Sequence, residues 1–116
     1  AYHRAGGLDN DFYAHMEEID LCWRLRNMGL RVLVDPRSAV RHVGGHIIQY
    51  GSFEKRYRNY RNNLIMLAKN LPAAALWPTL LARLSLDGVA ALRGLAAGQP
   101  DELRAVWRAH GDFRAR

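Results

Sequence analysis

The fold of the N-terminal part of the chain depends on two neighbouring stretches, Gly6-Gly7-Leu8-Asp9-Asn10-Asp11-Phe12-Tyr13 and Glu17-Glu18-Ile19-Asp20-Leu21-Cys22-Trp23-Arg24. Paired glycines with Asp and Asn favour turns, so residues 6–13 are predicted to form a loop. In the second stretch the carboxylates come first, where they oppose the positive end of a helix dipole. Leu21, Leu25 and Met28 then recur at helical spacing. The pattern predicts a helix over 15–28, ended by Gly29.

Two short strands are expected after this helix. Residues 31–35, Arg-Val-Leu-Val-Asp, are rich in β-branched residues and end before Pro36. Residues 38–43, Ser-Ala-Val-Arg-His-Val, form a second candidate strand, which Gly44 and Gly45 break. The predicted fold class is therefore α+β, with helices in the majority.

The rest of the chain is predicted to be helical. Ser52 is a suitable N-cap for a helix over 52–70. A second helix is expected over 73–97, with interruptions at Pro78 and Gly88. Asp101 is expected to cap a final helix over 101–110.

Size and charge restrict the function classes. With 116 residues the chain forms one small domain, and its formal net charge is +6. Nearly all of the positive charge is Arg, whose planar fork suits phosphates and carboxylates. A nucleotide, a nucleic acid or an anionic membrane surface all fit this charge. Cys22 is the single cysteine, so no internal disulfide is possible and a reducing compartment is expected.

An ordered series of motifs runs through the first half of the chain. It comprises Gly6-Gly7-Leu8-Asp9, Phe12-Tyr13, the acidic pair Glu17-Glu18, Asp20-Leu21-x-x-Arg24, Gly29, Pro36 and His42-Val43-Gly44-Gly45. In order and spacing the series resembles inverting family-2 glycosyltransferases of the GT-A fold, and 57–67 resembles the bacterial, rhamnosyltransferase-like members. The resemblance covers residues 1–71 well and 72–116 more loosely. It implies that 1–50 is the C-terminal part of a GT-A catalytic domain, and that 51–116 is a helical extension.

The resemblance also implies a general base. An inverting transfer needs a carboxylate that takes the proton from the acceptor hydroxyl as this oxygen attacks the anomeric carbon. The second member of the acidic pair falls on Glu18, which is the first choice for this role. Many relatives carry Asp at that position, so Glu17 stays open as the alternative.

Further site residues follow from the same resemblance. Gly6 and Gly7 either let the backbone approach bound donor or acceptor closely, or simply form a turn. Asp9 is expected to bind the acceptor or to cap a turn. Asp20 and Arg24 are expected to support the helix as an i, i+4 pair, the alternative being an ordinary surface pair.

His42 is the candidate ligand for a divalent metal, Mn²⁺ or Mg²⁺, or for the donor diphosphate. An imidazole nitrogen suits Mn²⁺, whereas Mg²⁺ prefers oxygen. No Asp-x-Asp follows a strand, and no βαβ alternation for nucleotide binding is found. The chain also begins without Met. It is therefore expected to be a fragment that is inactive alone, with the metal bound in a longer parent.

The expected partners follow from the same series and from the basic helices. The parent would bind a nucleotide-diphospho-sugar donor and a glycan or lipid-linked acceptor, for cell-surface polysaccharide synthesis. The Arg-rich amphipathic helices allow either packing or contact with an anionic membrane surface. The expected location is cytoplasmic, either free or peripheral at the inner face of the cytoplasmic membrane. The alternative function is a small basic helical module that binds a membrane or nucleic acid, although no nucleic-acid motif supports the latter.

Overall fold

The computed structural model describes residues 1–41 and 48–116, and this part of the chain is mainly helical. Within it four α-helices follow one another: α1 (Glu17–Asn27), α2 (Phe53–Asn70), α3 (Ala73–Ala96) and α4 (Pro100–Arg114). Two short 3₁₀ turns, His3–Ala5 and Asn10–Phe12, precede α1.

The first two helices have the predicted bounds to within two residues. α1 lies inside the predicted range 15–28, and Gly29 follows it with a φ of 78°. In α2 the Ser52 side chain accepts a hydrogen bond from the Lys55 backbone N–H, as expected of an N-cap. The local signals are therefore sufficient for these two helices.

The prediction of breaks in the third helix is wrong, because α3 is continuous over Ala73–Ala96. Pro78 lies near the start, where it removes a single intrahelical donor while its fixed φ is helical. Gly88 costs about 1 kcal/mol of helix propensity, which the surrounding Leu and Ala residues offset.

The last helix starts earlier than predicted and is longer. Pro100 is the first residue of α4, a position where its fixed φ suits the helix and its missing N–H is not needed. Asp101 consequently lies inside the first turn, and Gln99 is the N-cap without a side-chain hydrogen bond. The prediction that Asp101 caps this helix is wrong.

The prediction of two short strands is also wrong for the described residues. Residues 31–35 and 38–41 contain no strand and are exposed. A β-branched stretch becomes a strand only when another strand pairs with it, and the described part of the chain offers none. Residues 42 and 43 of the second candidate lie outside the described residues. The described residues support the helical majority, and they do not support the β component or the GT-A fold.

α2 is the central helix. On one side its Ile65 and Met66 pack with Phe12 from the N-terminal loop. On the other side its Tyr57 packs against the small residues Ala105 and Ala109 of α4. Because α2 contacts both neighbours, it fixes the position of the N-terminal loop and α1 relative to the C-terminal helices.

Candidate functional site

A buried carboxylate lies at the centre of the N-terminal motif series. Asp20 of α1 is fully buried. Its Oδ2 accepts hydrogen bonds from Arg24 Nε at 2.8 Å and from Lys69 Nζ at 3.1 Å. Its Oδ1 accepts one from Asn70 Nδ2 at 2.8 Å. Asp20 thus joins α1 to the end of α2.

Arg24 extends this network to the Gly-Gly loop. Its Nη2 donates to the Gly7 carbonyl oxygen at 2.7 Å, and its Nη1 donates to the Ala5 carbonyl oxygen. The planar guanidinium therefore bridges the carboxylate and two loop carbonyls at once. Because Asp20 is buried, this is not an ordinary surface i, i+4 pair.

Asp9 has two partners in the structure. One carboxylate oxygen accepts the Asp11 backbone N–H at 2.9 Å, so Asp9 caps the second 3₁₀ turn. The other accepts from Lys69 Nζ at 2.5 Å. Lys69 consequently lies between Asp9 and Asp20, and it links the loop to α1.

These contacts shift the pKa values of both carboxyls downward. The Lys69 hydrogen bond is the main cause at Asp9, where it outweighs the opposing effect of burial. At Asp20 burial is the largest effect and by itself raises the pKa, but the hydrogen bonds from Asn70, Arg24 and Lys69 together outweigh it. Both groups are therefore held as carboxylates.

The two glycines are explained by the turn itself. Gly6 and Gly7 have φ values of 82° and 70°, which residues with a side chain rarely adopt. A Cβ on Gly7 would also lie 3.2 Å from the Tyr2 hydroxyl oxygen. Of the two interpretations of these glycines, the turn accounts for what the described residues show.

The segment just before α1 has an unusual backbone. Tyr13, His15 and Met16 all have positive φ values, of 60°, 71° and 75°. At Tyr13 the ψ is −57°, and the Ala14 N–H donates to the Phe12 carbonyl oxygen at 2.6 Å, which is the geometry of a strained γ-turn. Each such residue costs on the order of 1–3 kcal/mol, and strain of this kind clusters at functional sites.

Asn62 of α2 holds this strained segment. Its side-chain amide is fully buried and donates to the carbonyl oxygens of Phe12, Ala14 and His15, at 3.0, 2.9 and 2.8 Å. Arg61 Nη1 donates to the Asn62 amide oxygen at 2.8 Å. Asn62 was not among the residues predicted from the sequence. The available signal was an Asn inside an otherwise good helical stretch, where its propensity is poor.

The acidic pair follows directly after this segment. Glu18 is exposed, whereas Glu17 is half-buried. One oxygen of Glu17, Oε2, is buried and has no hydrogen-bond partner among residues 1–41 and 48–116, and the same holds for Nε2 of His15. The two carboxylates of the acidic pair therefore differ in exposure, although they lie on the same helical turn.

The predicted metal ligand His42 lies outside the described residues. Among those that are described, no group of three or more His, Cys, Asp or Glu side chains is placed to hold a metal ion. The divalent metal thus stays a prediction.

Comparison with known proteins does not assign the chain to a family. The chain matches no protein-family model, no curated protein and no solved structure.

Proposed function

We propose that the chain is part of an inverting glycosyltransferase with a GT-A catalytic domain, and that it supplies the carboxylate that deprotonates the acceptor hydroxyl. The donor is a sugar on a nucleotide diphosphate, and the acceptor is a glycan or lipid-linked hydroxyl. The donor-binding half and the divalent metal belong to the longer parent, so the isolated chain is inactive.

One observation carries this proposal: Arg24 is bound at once to Asp20 and to the Gly7 carbonyl of the Gly-Gly loop. This contact brings two separate elements of the motif series together on a buried scaffold. A general base acts only when it is held within hydrogen-bond reach of its substrate. The anchoring of α1 beside the loop by Arg24 supports a fixed position for the acidic pair.

The strained segment supports the same conclusion. Three residues with positive φ directly precede the acidic pair, and the buried amide of Asn62 fixes them. Backbone strain that another element holds in place is typical of sites where a side chain must be aimed.

Glu18 is our choice for the base, and accessibility is the reason. Its side chain is open to solvent, from which an acceptor would approach, whereas one oxygen of Glu17 is closed off from solvent. Glu17 lies nearest to the strained segment and is the alternative. Asp20 is excluded as the base, because three cationic or amide donors engage its oxygens.

The test is Glu18→Gln in the parent polypeptide, assayed for transfer from several nucleotide sugars. Loss of a general base lowers turnover by about 10²–10⁴-fold, while donor binding stays unchanged. Glu54→Gln is a matched control, because Glu54 is also a first-turn glutamate. Loss of turnover in Glu17→Gln but not in Glu18→Gln would identify Glu17 as the base. Full turnover in both Glu17→Gln and Glu18→Gln would exclude the proposed mechanism.

A further inference from the structure

α3 presents an apolar surface to solvent along its whole length. Six of its large side chains are between 51% and 69% exposed, namely Trp77, Leu81, Leu86, Val89, Leu92 and Leu95. An 18-residue window of this helix has a mean hydropathy of 1.2, and only 17% of the window is buried. A core helix with such hydropathy would be mostly buried, so the composition of α3 is not explained by packing inside the described chain.

A groove continues this surface onto α4. It has a volume of about 470 Å³, and Leu84 and Leu92 of α3 line it together with Leu103 and Trp107 of α4. Trp107 is 79% exposed. We refer to the six exposed side chains of α3 with Leu103 and Trp107 as the apolar face. An exposed Trp beside Leu is typical of surfaces that contact the interfacial region of a bilayer.

Arginines border the apolar face. Arg114 lines the groove, and Arg93 is exposed on α3. Arg104 adjoins Leu103 on α4, and its ion pair with Asp101 joins two largely exposed side chains, which is a weak interaction. These guanidinium groups therefore stay available for anionic groups such as lipid phosphates.

The side of α3 that packs on α4 contains a buried charged cluster, which cannot enter a bilayer core. Asp87 is almost fully buried there, 2.6 Å from Arg83 and 3.0 Å from Nε2 of His110 on α4. Spanning a membrane would pull these charged groups away from α4 into hydrocarbon. The helix can instead lie in the membrane plane, with this side kept against α4.

We propose that the apolar face docks α3 flat on an anionic membrane surface, with Arg93, Arg104 and Arg114 on the lipid phosphates. Charge decides between this occupant and a second copy of the chain. The whole chain carries a net charge of +6, so two copies meeting at this face would bring like charges together. An anionic lipid surface complements the same arginines. The proposal is independent of glycosyl transfer, because lipid binding is measured without substrate.

The test is sedimentation of the full chain with phospholipid vesicles. We expect binding to vesicles of equal parts phosphatidylglycerol and phosphatidylcholine, and at least fivefold weaker binding to pure phosphatidylcholine. The double variant Leu81→Glu/Leu92→Glu should lose vesicle binding. The control Ala68→Glu/Ser38→Glu makes the same charge change at exposed positions outside the apolar face and should keep it.

A second variant covers the case in which the Leu81→Glu/Leu92→Glu protein does not fold. Trp107→Ser removes one exposed side chain and should weaken vesicle binding while the circular dichroism spectrum stays unchanged. The proposal is overturned if the wild-type chain does not bind phosphatidylglycerol vesicles, or if the folded variants and the control bind equally well. It is also overturned if the face variants abolish a dimer in sedimentation equilibrium while lipid binding persists.

Discussion

Asn62 and Asp20 are the two polar side chains on which the N-terminal site depends. Each is fully buried, and each has several hydrogen-bond partners from another part of the chain. A buried polar group without its partners is strongly destabilising, so both residues have to find their partners on folding. They connect α1 and the loop before it to α2.

Asn62→Asp should destabilise the fold by about 3 kcal/mol or more, because the two amide N–H groups shared among three carbonyl oxygens are replaced by a buried negative charge facing those oxygens. Urea unfolding followed by circular dichroism measures this change. Asn63→Asp is the matched control, since it makes the same change at the next, half-buried residue. Equal midpoints for the two variants would contradict the role of Asn62.

The depressed pKa of Asp20 predicts acid sensitivity. In the unfolded chain, Asp20 takes up its proton near pH 4. In the folded chain it does so only at lower pH, because the hydrogen bonds that lower its pKa outweigh the burial that raises it. The unfolded state therefore binds more protons in this window, and stability falls as the pH drops from about 4 through the folded pKa. Asp9, whose pKa is also lowered, adds to the same loss.

Urea midpoints measured from neutral pH down to the acid transition test this prediction. The wild-type midpoint should decrease below about pH 4. Asp20→Asn should start from a lower midpoint and show a shallower acid decrease, because one titrating group is gone. Parallel curves for the two proteins would show that Asp20 does not contribute.

At the scale of elements, the helices differ in how they meet. α2 meets α4 through Tyr57 against small alanines, and polar contacts reinforce this interface. Tyr57 donates to Asp112 Oδ2 at 2.5 Å, and Tyr60 donates to Glu102. For both tyrosines, burial and then the bond to the carboxylate raise the pKa, so both phenols keep the proton that they donate across the neutral range. α3 meets α4 at a close approach that requires a glycine.

Gly94→Ala should destabilise this α3–α4 contact by about 1–3 kcal/mol. A Cβ at position 94 would lie 2.5 Å from the Glu102 Cβ, which is fixed to the α4 backbone and cannot move aside. Thermal unfolding measures the effect. Gly88→Ala is the control: apart from its chain neighbours and the backbone of its own helix, no described atom lies within 4 Å of its added Cβ, so it should stabilise the helix by about 0.5–1 kcal/mol. A gain in stability in both variants would contradict the close approach.

At the scale of the whole molecule, α2 is surrounded and residues 31–41 are not. α2 packs against the N-terminal loop, α1, α3 and α4, whereas 31–41 contains no regular element and is exposed. Regions with few buried contacts open at low free energy, while surrounded helices open only in global unfolding.

Hydrogen exchange followed by mass spectrometry should therefore show the greatest amide protection in α2 and the least in residues 31–41. α3, with its apolar face exposed, should fall between them because only one side of it is packed. Protection of α3 above that of α2 in the absence of lipid would contradict this order of stabilities.

The sequence by itself determined the bounds of α1 and α2, because caps, glycine stops and helical spacing act within a few residues. Ser52, Gly29 and the spacing of Leu21 and Leu25 are signals of this kind. It also indicated that Asp20 and Arg24 belong together, since i, i+4 residues share one helix face. The prediction of the two strands was wrong because a strand needs a partner from a distant part of the chain, which local signals do not report.

Only the tertiary structure decided that Asn62 and Lys69 of α2 complete the N-terminal site, since these residues lie some fifty positions away from their partners along the chain. It also decided which side of α3 stays exposed. Apolar residues lie on both sides of this helix, Leu80 and Ala91 on the buried side and Leu81 and Leu92 on the exposed side, so its composition could not tell which side packs on α4. The physical reason is common to both: hydrogen bonds and burial between distant segments depend on how the helices pack, and packing is not a local property of the sequence.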